Sequence, residues 1–425
     1  MHRNLIRLTA AGAILTLVSA CGGDDGGGGS DDLRFLSLAW QEQSIAANKE
    51  IISQCNEELD MNVEYVQGDW NSAHDQLLTG FEGGDPPDII HYEAAAIQTF
   101  AEGNYLADLE PMLSDDFTAG ISDDIWETVQ YEEQGTIGVP FLLESRLPIA
   151  NRTLLEDAGI EVPTPEDPWT WDEFQDAAKQ LTQGDTYGVA WPLDSPANAI
   201  VTLAQSFGGT FVDDSGDEPE ISVGDPELEV PTRIHEMLYE DKSASPDTIG
   251  VNSTDALPGF FDGKYAMLFG ASWLRQQMVE QAPKDFDWVT IPPLEGSEGA
   301  AQAVNPQILS VAAQSDNQDG AAEFIECFLE DENMAELALG DWLAPASEGS
   351  LEALQERTKG EQGWDVAIAS AQSLTSAPWR RTAGFQEWMD RIATPTFQSF
   401  FADETSVDEL TDQLEEGSDL LSEAR

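Results

Sequence analysis

The sequence predicts an α/β protein with two lobes. From residue 33 to residue 90, apolar segments typical of strands alternate with segments of helical periodicity, which is the pattern of a mainly parallel sheet with helices on its faces. A second cycle of strands and helices begins near residue 136. The body from residue 33 onward is also longer than one hydrophobic core usually supports, so we expect two lobes.

The N-terminal residues before this body have the features of an export signal. Arg3 and Arg7 precede an apolar run from Leu8 to Val18, which is too short to span a bilayer and predicts a signal peptide. The small residues before Cys21 resemble the lipobox of bacterial lipoproteins, in which this cysteine is acylated. We therefore expect an extracytoplasmic protein anchored to the cell membrane by its N-terminal lipid, with a signal peptide over 1–20 and a flexible Gly/Asp tether over 21–32.

The elements of the first lobe follow from hydrophobic periodicity. Alternating apolar residues predict a strand over 33–39, and apolar residues at helical spacing predict a helix over 44–59. The pattern then repeats, with strands over 61–66 and 88–90 and a helix over 73–82.

The second cycle contains a strand that ends in small residues. Gly270, Ala271 and Ser272 follow the apolar run 265–269, and we interpret them as clearance that lets a ring or a ligand lie close to the backbone at the strand end, next to Trp273. The other predicted strands lie within 136–148 and 187–191, and helices are predicted at 171–181, 319–329, 333–339, within 350–373, and at 385–392 and 407–423.

The charge of the chain excludes some partners. The sequence has 18 Lys and Arg against 81 Asp and Glu, a formal net charge of −63, which repels nucleic acid and anionic lipid headgroups. Salt would screen the self-repulsion of such a surface, so a saline habitat is one interpretation of the acidity.

Cysteine and histidine give limited information. Besides Cys21, the chain contains Cys55 and Cys327, each in a predicted helix, and both a disulfide and two buried thiols fit this placement. The histidines are scattered without the spacing of a metal site, and no hydrolase, zinc-protease or phosphate-loop motif occurs. We expect no metal and no cofactor.

Five stretches, in order, resemble motifs of a known family. They are Gly83–Ile90, Val139–Phe141 with Leu147–Gly159, Pro168–Phe174, Phe260–Trp273 and Ala321–Leu329. The third opens a helix, with Thr170 as the expected N-cap and Glu173 three residues later. Together these stretches resemble the extracellular solute-binding proteins of the maltose-binding, family-one type.

The resemblance implies a two-lobed periplasmic-binding-protein-like fold of type II, with a ligand cleft between lobes joined by hinge crossings. It also implies a non-catalytic receptor that captures a sugar, a di- or oligosaccharide, and delivers it to the membrane permease subunits of an ABC importer. We expect a monomer. The resemblance also places the points at which the chain passes from one lobe to the other. These points give a first lobe of 33–141 plus 303–345 and a second lobe of 142–302 plus 346–425.

A sugar site needs aromatic rings against the C–H face of the ligand and polar groups around its hydroxyls. Residues after the first three strands fall at the carboxyl edge of the sheet, where open α/β sheets bind ligands. The resemblance adds residues at the two crossings, at the Trp273 motif and near positions where the family closes over ligand. The expected ligand-binding residues are Trp40, Gln41, Glu42, Asp69, Trp70, Tyr92, Glu144, Arg146, Trp191, Trp273, Asn305, Trp342 and Arg380.

Other interpretations fit the same residues. Trp273 and Trp342 could be core side chains, and Glu144 and Arg146 could form a salt bridge without a ligand. At the level of function, the same fold could bind a polyamine or amino-sugar, since the negative field favours cations. A secreted glycoside hydrolase is the alternative from another class, because paired carboxylates occur among so many acids.

Overall fold

A computed structural model describes residues 32–131, 134–216 and 218–423. Cys21 and the expected signal peptide lie outside the described residues. No helix in the described ranges is both long enough and apolar enough to cross a bilayer.

The strands and helices alternate along most of the chain. The strands are β1 (Asp32–Ser37), β2 (Asn62–Gln67), β3 (Ile89–Glu93), β4 (Gln130–Tyr131), β5 (Gly135–Thr136), β6 (Val139–Leu143), β7 (Arg146–Asn151), β8 (Tyr187–Ala190), β9 (Val212–Asp213), β10 (Glu220–Ile221), β11 (Tyr265–Ala271), β12 (Trp288–Thr290), β13 (Gln302–Ala303), β14 (Gln307–Val311), β15 (Ala344–Pro345) and β16 (Leu374–Thr375). The helices are α1 (Glu42–Leu59), α2 (Ala73–Gly83), α3 (Ala94–Glu102), α4 (Asp115–Thr118), α5 (Asp123–Trp126), α6 (Arg152–Ala158), α7 (Trp171–Leu181), α8 (Pro196–Ala204), α9 (Asp225–Tyr239), α10 (Ser253–Phe261), α11 (Leu274–Gln281), α12 (Gln318–Phe328), α13 (Asp331–Asp341), α14 (Glu348–Arg357), α15 (Trp364–Ser370), α16 (Phe385–Trp388), α17 (Thr394–Phe401), α18 (Val407–Glu415) and α19 (Asp419–Glu423).

The first lobe is built on a six-stranded sheet in the order β15-β6-β14-β3-β1-β2. β1 pairs in parallel with both β2 and β3, and β14 inserts antiparallel between β3 and β6. Since successive side chains of a strand point to opposite faces, Phe35 and Leu36 belong to the cores on the two sides of the sheet. Helices cover both faces, so the predicted α/β class is confirmed.

The second lobe has a four-stranded sheet in the order β12-β7-β11-β8. β11 pairs antiparallel with β7 and parallel with β8. Its neighbouring residues Leu268 and Phe269 again face different cores. Helix α7 begins at a capping box, because the Thr170 side chain accepts from the backbone N–H of Glu173 and the Glu173 side chain accepts from that of Thr170; this confirms the predicted cap.

The chain passes between the two lobes at three places. The first crossing joins β6 to β7, and the second lies where Ala303 packs in the second-lobe core and Val304 in the first. The third lies between Leu374, in the first-lobe core, and Ala377, in the second. β13 and β16, at the last two crossings, are hydrogen-bonded to each other in parallel.

The third crossing lies later in the chain than the expected boundary at 345/346. Leu354 of α14 and Trp364 and Ile368 of α15 pack in the core of the first lobe, whereas α16 to α18 pack in that of the second. The expectation that 346–425 belongs wholly to the second lobe is therefore wrong for α14 and α15. Helix periodicity shows that a helix has a buried face but not which sheet covers it.

A disulfide joins Cys55 of α1 to Cys327 of α12, with 5.9 Å between the Cα atoms. Of the two possibilities that the sequence left open, the structure therefore contains the bridge. It links two helices that pack together in the first-lobe core and are 272 residues apart in sequence.

Candidate ligand-binding cleft

A cavity of about 300 Å³ lies between the two lobes, beside the crossings. Its walls come from strand ends of the first lobe, from the first two crossings, and from α8 and the end of β11 in the second lobe. The lining residues are Trp40, Trp70, Glu93, Glu144, Arg146, Asn198, Thr202, Trp273, Ala303, Asn305 and Gln307. Six of the thirteen residues expected from the sequence are among them: Trp40, Trp70, Glu144, Arg146, Trp273 and Asn305.

Three indole rings line this cleft. Trp40 follows β1 and Trp70 follows β2, both in the first lobe, while Trp273 follows β11 of the second. The Trp70 ring stacks on Tyr92, with 6.1 Å between ring centroids, and meets the His91 ring edge-on at 5.6 Å. The rings therefore form flat apolar surfaces, held by neighbours, of the kind that the C–H face of a sugar can contact.

The first crossing contributes an ion pair. Arg146 Nη2 lies 3.0 Å from Glu144 Oε1, and both side chains are partly exposed to the cleft. The Gln302 side chain, from the second crossing, accepts from the Arg146 backbone N–H and donates to its carbonyl, each at 2.8 Å. The salt bridge considered as an alternative is therefore present, and it lies inside the cleft.

The second crossing contributes an amide whose orientation is fixed. Asn305 Oδ1 accepts from the Ala95 backbone N–H at 3.1 Å, and Asn305 Nδ2 donates to Glu93 Oε2 at 2.9 Å. The Glu93 carboxylate is thereby held at the cleft as a hydrogen-bond acceptor.

Gln307 is oriented by a buried histidine. The Leu38 backbone N–H donates to His91 Nδ1 at 3.1 Å, so the neutral ring carries its proton on Nε2, which lies 2.7 Å from Gln307 Oε1. Burial lowers the pKa of His91 to about 4, which keeps the ring neutral near pH 7. Because the Gln307 oxygen accepts from His91, its NH₂ group is left to donate into the cleft.

Sequence reasoning missed the contribution of helix α8. Asn198 and Thr202 line the cleft, and Thr202 Oγ1 donates to Asn198 Oδ1 at 3.4 Å. They are spaced four residues apart, hence on one face of the helix, in a segment that is otherwise almost entirely apolar. That isolated polar pair is the signal that could have identified them.

Four expected residues of the first lobe lie outside the cleft. Gln41 is buried and donates to the Asp341 carbonyl at 3.4 Å, and Glu42 is the exposed first residue of α1. Asp69 is exposed, and its side chain accepts from the Asn71 backbone N–H. Tyr92 belongs to the core and contributes only by supporting the Trp70 ring.

Two other expected aromatic residues are also structural. Trp191 is buried in the second-lobe core, stacked on Phe269 with 4.2 Å between ring centroids. Trp342 stacks on Trp364 at 5.1 Å and packs against the first-lobe core. Their expected roles at the ligand are therefore corrected. The side chain of Arg380 lies outside what the structure describes.

The small residues before Trp273 serve packing and not ligand clearance. β11 continues through Gly270 and Ala271, and a Cβ on Gly270 would come within 2.8 Å of the Leu274 side chain. The Ser272 backbone N–H donates to the Ser145 carbonyl at 2.8 Å, which ties the strand end to the first crossing. The interpretation of these residues as ligand clearance is wrong, while Trp273 does reach the cleft.

A fully buried arginine holds the turn that carries Trp273. Arg275 donates to the carbonyls of Ser272 at 2.8 Å, Gly363 at 3.1 Å and Trp342 at 2.8 Å, and its guanidinium lies 4.4 Å from the centroid of the Trp364 ring. Burial lowers its pKa to about 9. The bonds to Trp342 and Gly363 join the second-lobe turn to the C-terminal end of α13 and the N-terminal end of α15 in the first lobe, so they hold the turn that carries Trp273 against both lobes.

A larger groove of about 940 Å³ runs between α14–α15 and the edge strand β12. No aromatic side chain lines it in the described residues, and it lies away from the strand ends that carry the three indoles. The smaller cleft therefore has the chemistry of a ligand site. No group of three or more His, Cys, Asp or Glu in the described ranges is arranged to hold a metal ion.

Two α/β lobes, three crossings and a cleft at the crossings define a hinged binding protein of the type II periplasmic class. The model of the bacterial extracellular solute-binding protein family matches residues 39–335, and the chain belongs to that family.

Relatives cover most of the chain. An uncharacterized lipoprotein in the oleD 5′ region of Streptomyces antibioticus is 42% identical over 404 residues, covering 93% of this chain and 88% of the relative. The diacetylchitobiose binding protein DasA of Streptomyces coelicolor is 24% identical and covers 89% of each chain. The crystal structure of the cyclic alpha-maltosyl-1,6-maltose binding protein from Arthrobacter globiformis superposes with a TM-score of 0.79 at 17% identity, over 92% of this chain and 99% of that one. The similarity to this crystal structure supports the assignment of the two-lobed fold.

Proposed function

We propose that the protein is the lipid-anchored receptor of an ABC importer and that it captures an uncharged sugar in the interlobe cleft for delivery to permease subunits. The observation that carries this is the composition of the cleft, where three indole rings from both lobes surround amide, hydroxyl and carboxylate groups. Rings contact the C–H faces of a sugar, and the polar groups bond its hydroxyls.

The charge balance of the cleft supports an uncharged ligand. Glu93 and Glu144 are its acids and Arg146 its base, and each of them already has a partner: Asn305 for Glu93, and the Glu144–Arg146 pair for the other two. An anionic sugar would meet the surplus carboxylate and the negative field of the whole chain. The relatives are consistent with this proposal, since one is named for diacetylchitobiose and another, from Pyrococcus abyssi, for maltotriose.

Titration calorimetry of the purified chain against a panel of neutral sugars tests the proposal. The panel contains maltodextrins, N-acetylglucosamine oligomers, uronates as anionic controls and polyamines as cationic controls. We expect saturable binding of a neutral sugar without the appearance of hydrolysis products. Binding heat with polyamines and with no sugar would contradict a sugar ligand and indicate a cationic one. Formation of hydrolysis products would favour the glycoside hydrolase.

The lipid anchor rests on Cys21 and its preceding small residues, and a relative is named a lipoprotein. Expression in a bacterial host with labelled palmitate should label the wild-type chain in the membrane fraction. Cys21→Ser should remove the label and release the protein from the membrane, whereas Cys55→Ser should leave both unchanged. Unlabelled wild-type protein would contradict the anchor.

A further inference from the structure

The cleft has a wall made of two indoles from different lobes. The rings of Trp40 and Trp273 meet edge to face, with 5.8 Å between centroids and planes at 86°, a favourable geometry for aromatic pairs. Trp40 follows β1 of the first lobe, and Trp273 follows β11 of the second. Their contact therefore bridges the lobes at the edge of the cavity that both residues line.

Trp40 forms part of one wall of the cavity. It lines the cavity, and 50% of its surface is exposed to solvent. It belongs to none of the hydrophobic cores of the described residues. Removing its ring would therefore open the cavity at this point without emptying a core.

Trp70 makes a useful contrast on the same lobe. Its ring also lines the cavity, but it packs against the first-lobe core beside Tyr92 and His91. Trp70 thus offers a ring to the ligand from a wall supported by the core, whereas the Trp40 ring contacts Trp273 of the other lobe.

The space in the cleft is small. At about 300 Å³ it lies at the lower end of the range of roughly 300 to 1,000 Å³ for small-molecule sites. From this volume and the Trp40–Trp273 contact we infer that the cleft takes a mono- or disaccharide and that Trp40 sets this length limit by blocking the path of further sugar units. The inference rests on the proposed function and narrows its ligand class.

A length series separates this role from simple stacking. Calorimetry measures the affinity of the full chain, Trp40→Ala and Trp70→Ala for maltodextrins and N-acetylglucosamine oligomers of increasing length. We expect the wild type to prefer the mono- or disaccharide. In Trp40→Ala the ratio of tetrasaccharide to disaccharide affinity should rise about tenfold or more, and in Trp70→Ala every length should weaken alike.

Each other outcome overturns a defined statement. If Trp40→Ala weakens every length by the same factor, Trp40 is only a stacking surface and the length limit fails while sugar binding stands. Wild-type protein that binds tetrasaccharides as tightly as disaccharides would also contradict the length limit, while the proposed sugar binding would stand. If folded wild-type protein, shown by a cooperative unfolding transition, binds no member of either series, the length limit is wrong for these sugars. If it also binds no other neutral sugar of the panel, the proposed function is wrong too.

Discussion

His91 Nε2 lies 2.7 Å from Oε1 of Gln307, and this hydrogen bond determines which end of the amide faces the cleft. The direction is fixed because His91 Nδ1 already accepts from the Leu38 backbone N–H. His91 and Gln307 lie on the antiparallel neighbours β3 and β14, 216 residues apart in sequence. The NH₂ group of Gln307 is therefore the end that faces the ligand, and it favours a ligand oxygen that accepts a hydrogen bond.

Replacing Gln307 by Glu tests this donor. The carboxylate can still accept from His91, but it offers no N–H to the ligand and adds a negative charge. We expect sugar affinity to fall by about 1 to 3 kcal/mol, the usual penalty for a lost hydrogen-bond partner. Gln307→Met, which has a similar length and no donor, should lose a comparable amount. Unchanged affinity in both variants, by calorimetry, would contradict the donor role.

A pair of tryptophan variants separates ligand contact from core packing. Trp273→Ala should weaken sugar binding by about 1 to 3 kcal/mol if the ring stacks on the ligand. Trp191→Ala removes a ring from the second-lobe core, so it should lower the free energy of unfolding by about 3 to 5 kcal/mol. Denaturant unfolding and calorimetry on both variants give the comparison. A Trp273→Ala variant that loses stability and keeps its sugar affinity would mean that this ring packs in a core and does not contact the ligand.

The part of the site that the sequence predicts is the part that depends on strand ends. Trp40 and Trp70 follow β1 and β2, and parallel strands bring their carboxyl ends to one edge of the sheet. The failures are residues whose side-chain direction depends on tertiary packing. Trp191 also ends a strand, yet its ring turns toward Phe269 inside the lobe.

Long-range contacts explain the other differences. The orientation of Gln307 requires His91, which no local pattern connects to it. The assignment of α14 and α15 to the first lobe depends on α13 and the core that it shares with them. Sequence periodicity specifies that these helices have an apolar face, whereas the choice of lobe is made by which sheet buries that face.

The disulfide should contribute to stability but not to binding. A cross-link between residues 272 apart restricts the unfolded chain, and native disulfides typically contribute about 2 to 5 kcal/mol. A Cys55→Ser/Cys327→Ser variant should unfold at lower denaturant concentration, while its sugar affinity stays the same because the bridge lies in the first-lobe core. Reductant should shift the wild-type midpoint and leave that of the variant unchanged. A wild-type midpoint insensitive to reductant after full reduction would contradict this.

Asp341 should make stability fall as the pH rises. Burial raises the pKa of its carboxyl group to about 7, against about 3.9 in an unfolded chain. Between these values the folded state binds more protons, so the stabilisation is complete below about pH 4 and is lost as the pH rises through 7, an effect of the order of 4 kcal/mol. Asp341→Asn keeps a neutral group in place and removes this dependence.

The test of Asp341 is the difference between wild type and Asp341→Asn in denaturant unfolding from pH 4 to pH 8. The difference should move in favour of the variant as the pH rises. Using a difference matters because His91 acts in the opposite direction: its pKa of about 4 is below the unfolded value of about 6.5, so its contribution is present above pH 6.5 and is lost as the pH falls toward 4. Both proteins contain His91, and its contribution cancels. A difference for Asp341→Asn that stays constant from pH 4 to pH 8 would mean that its carboxyl group titrates alike in the folded and unfolded chains.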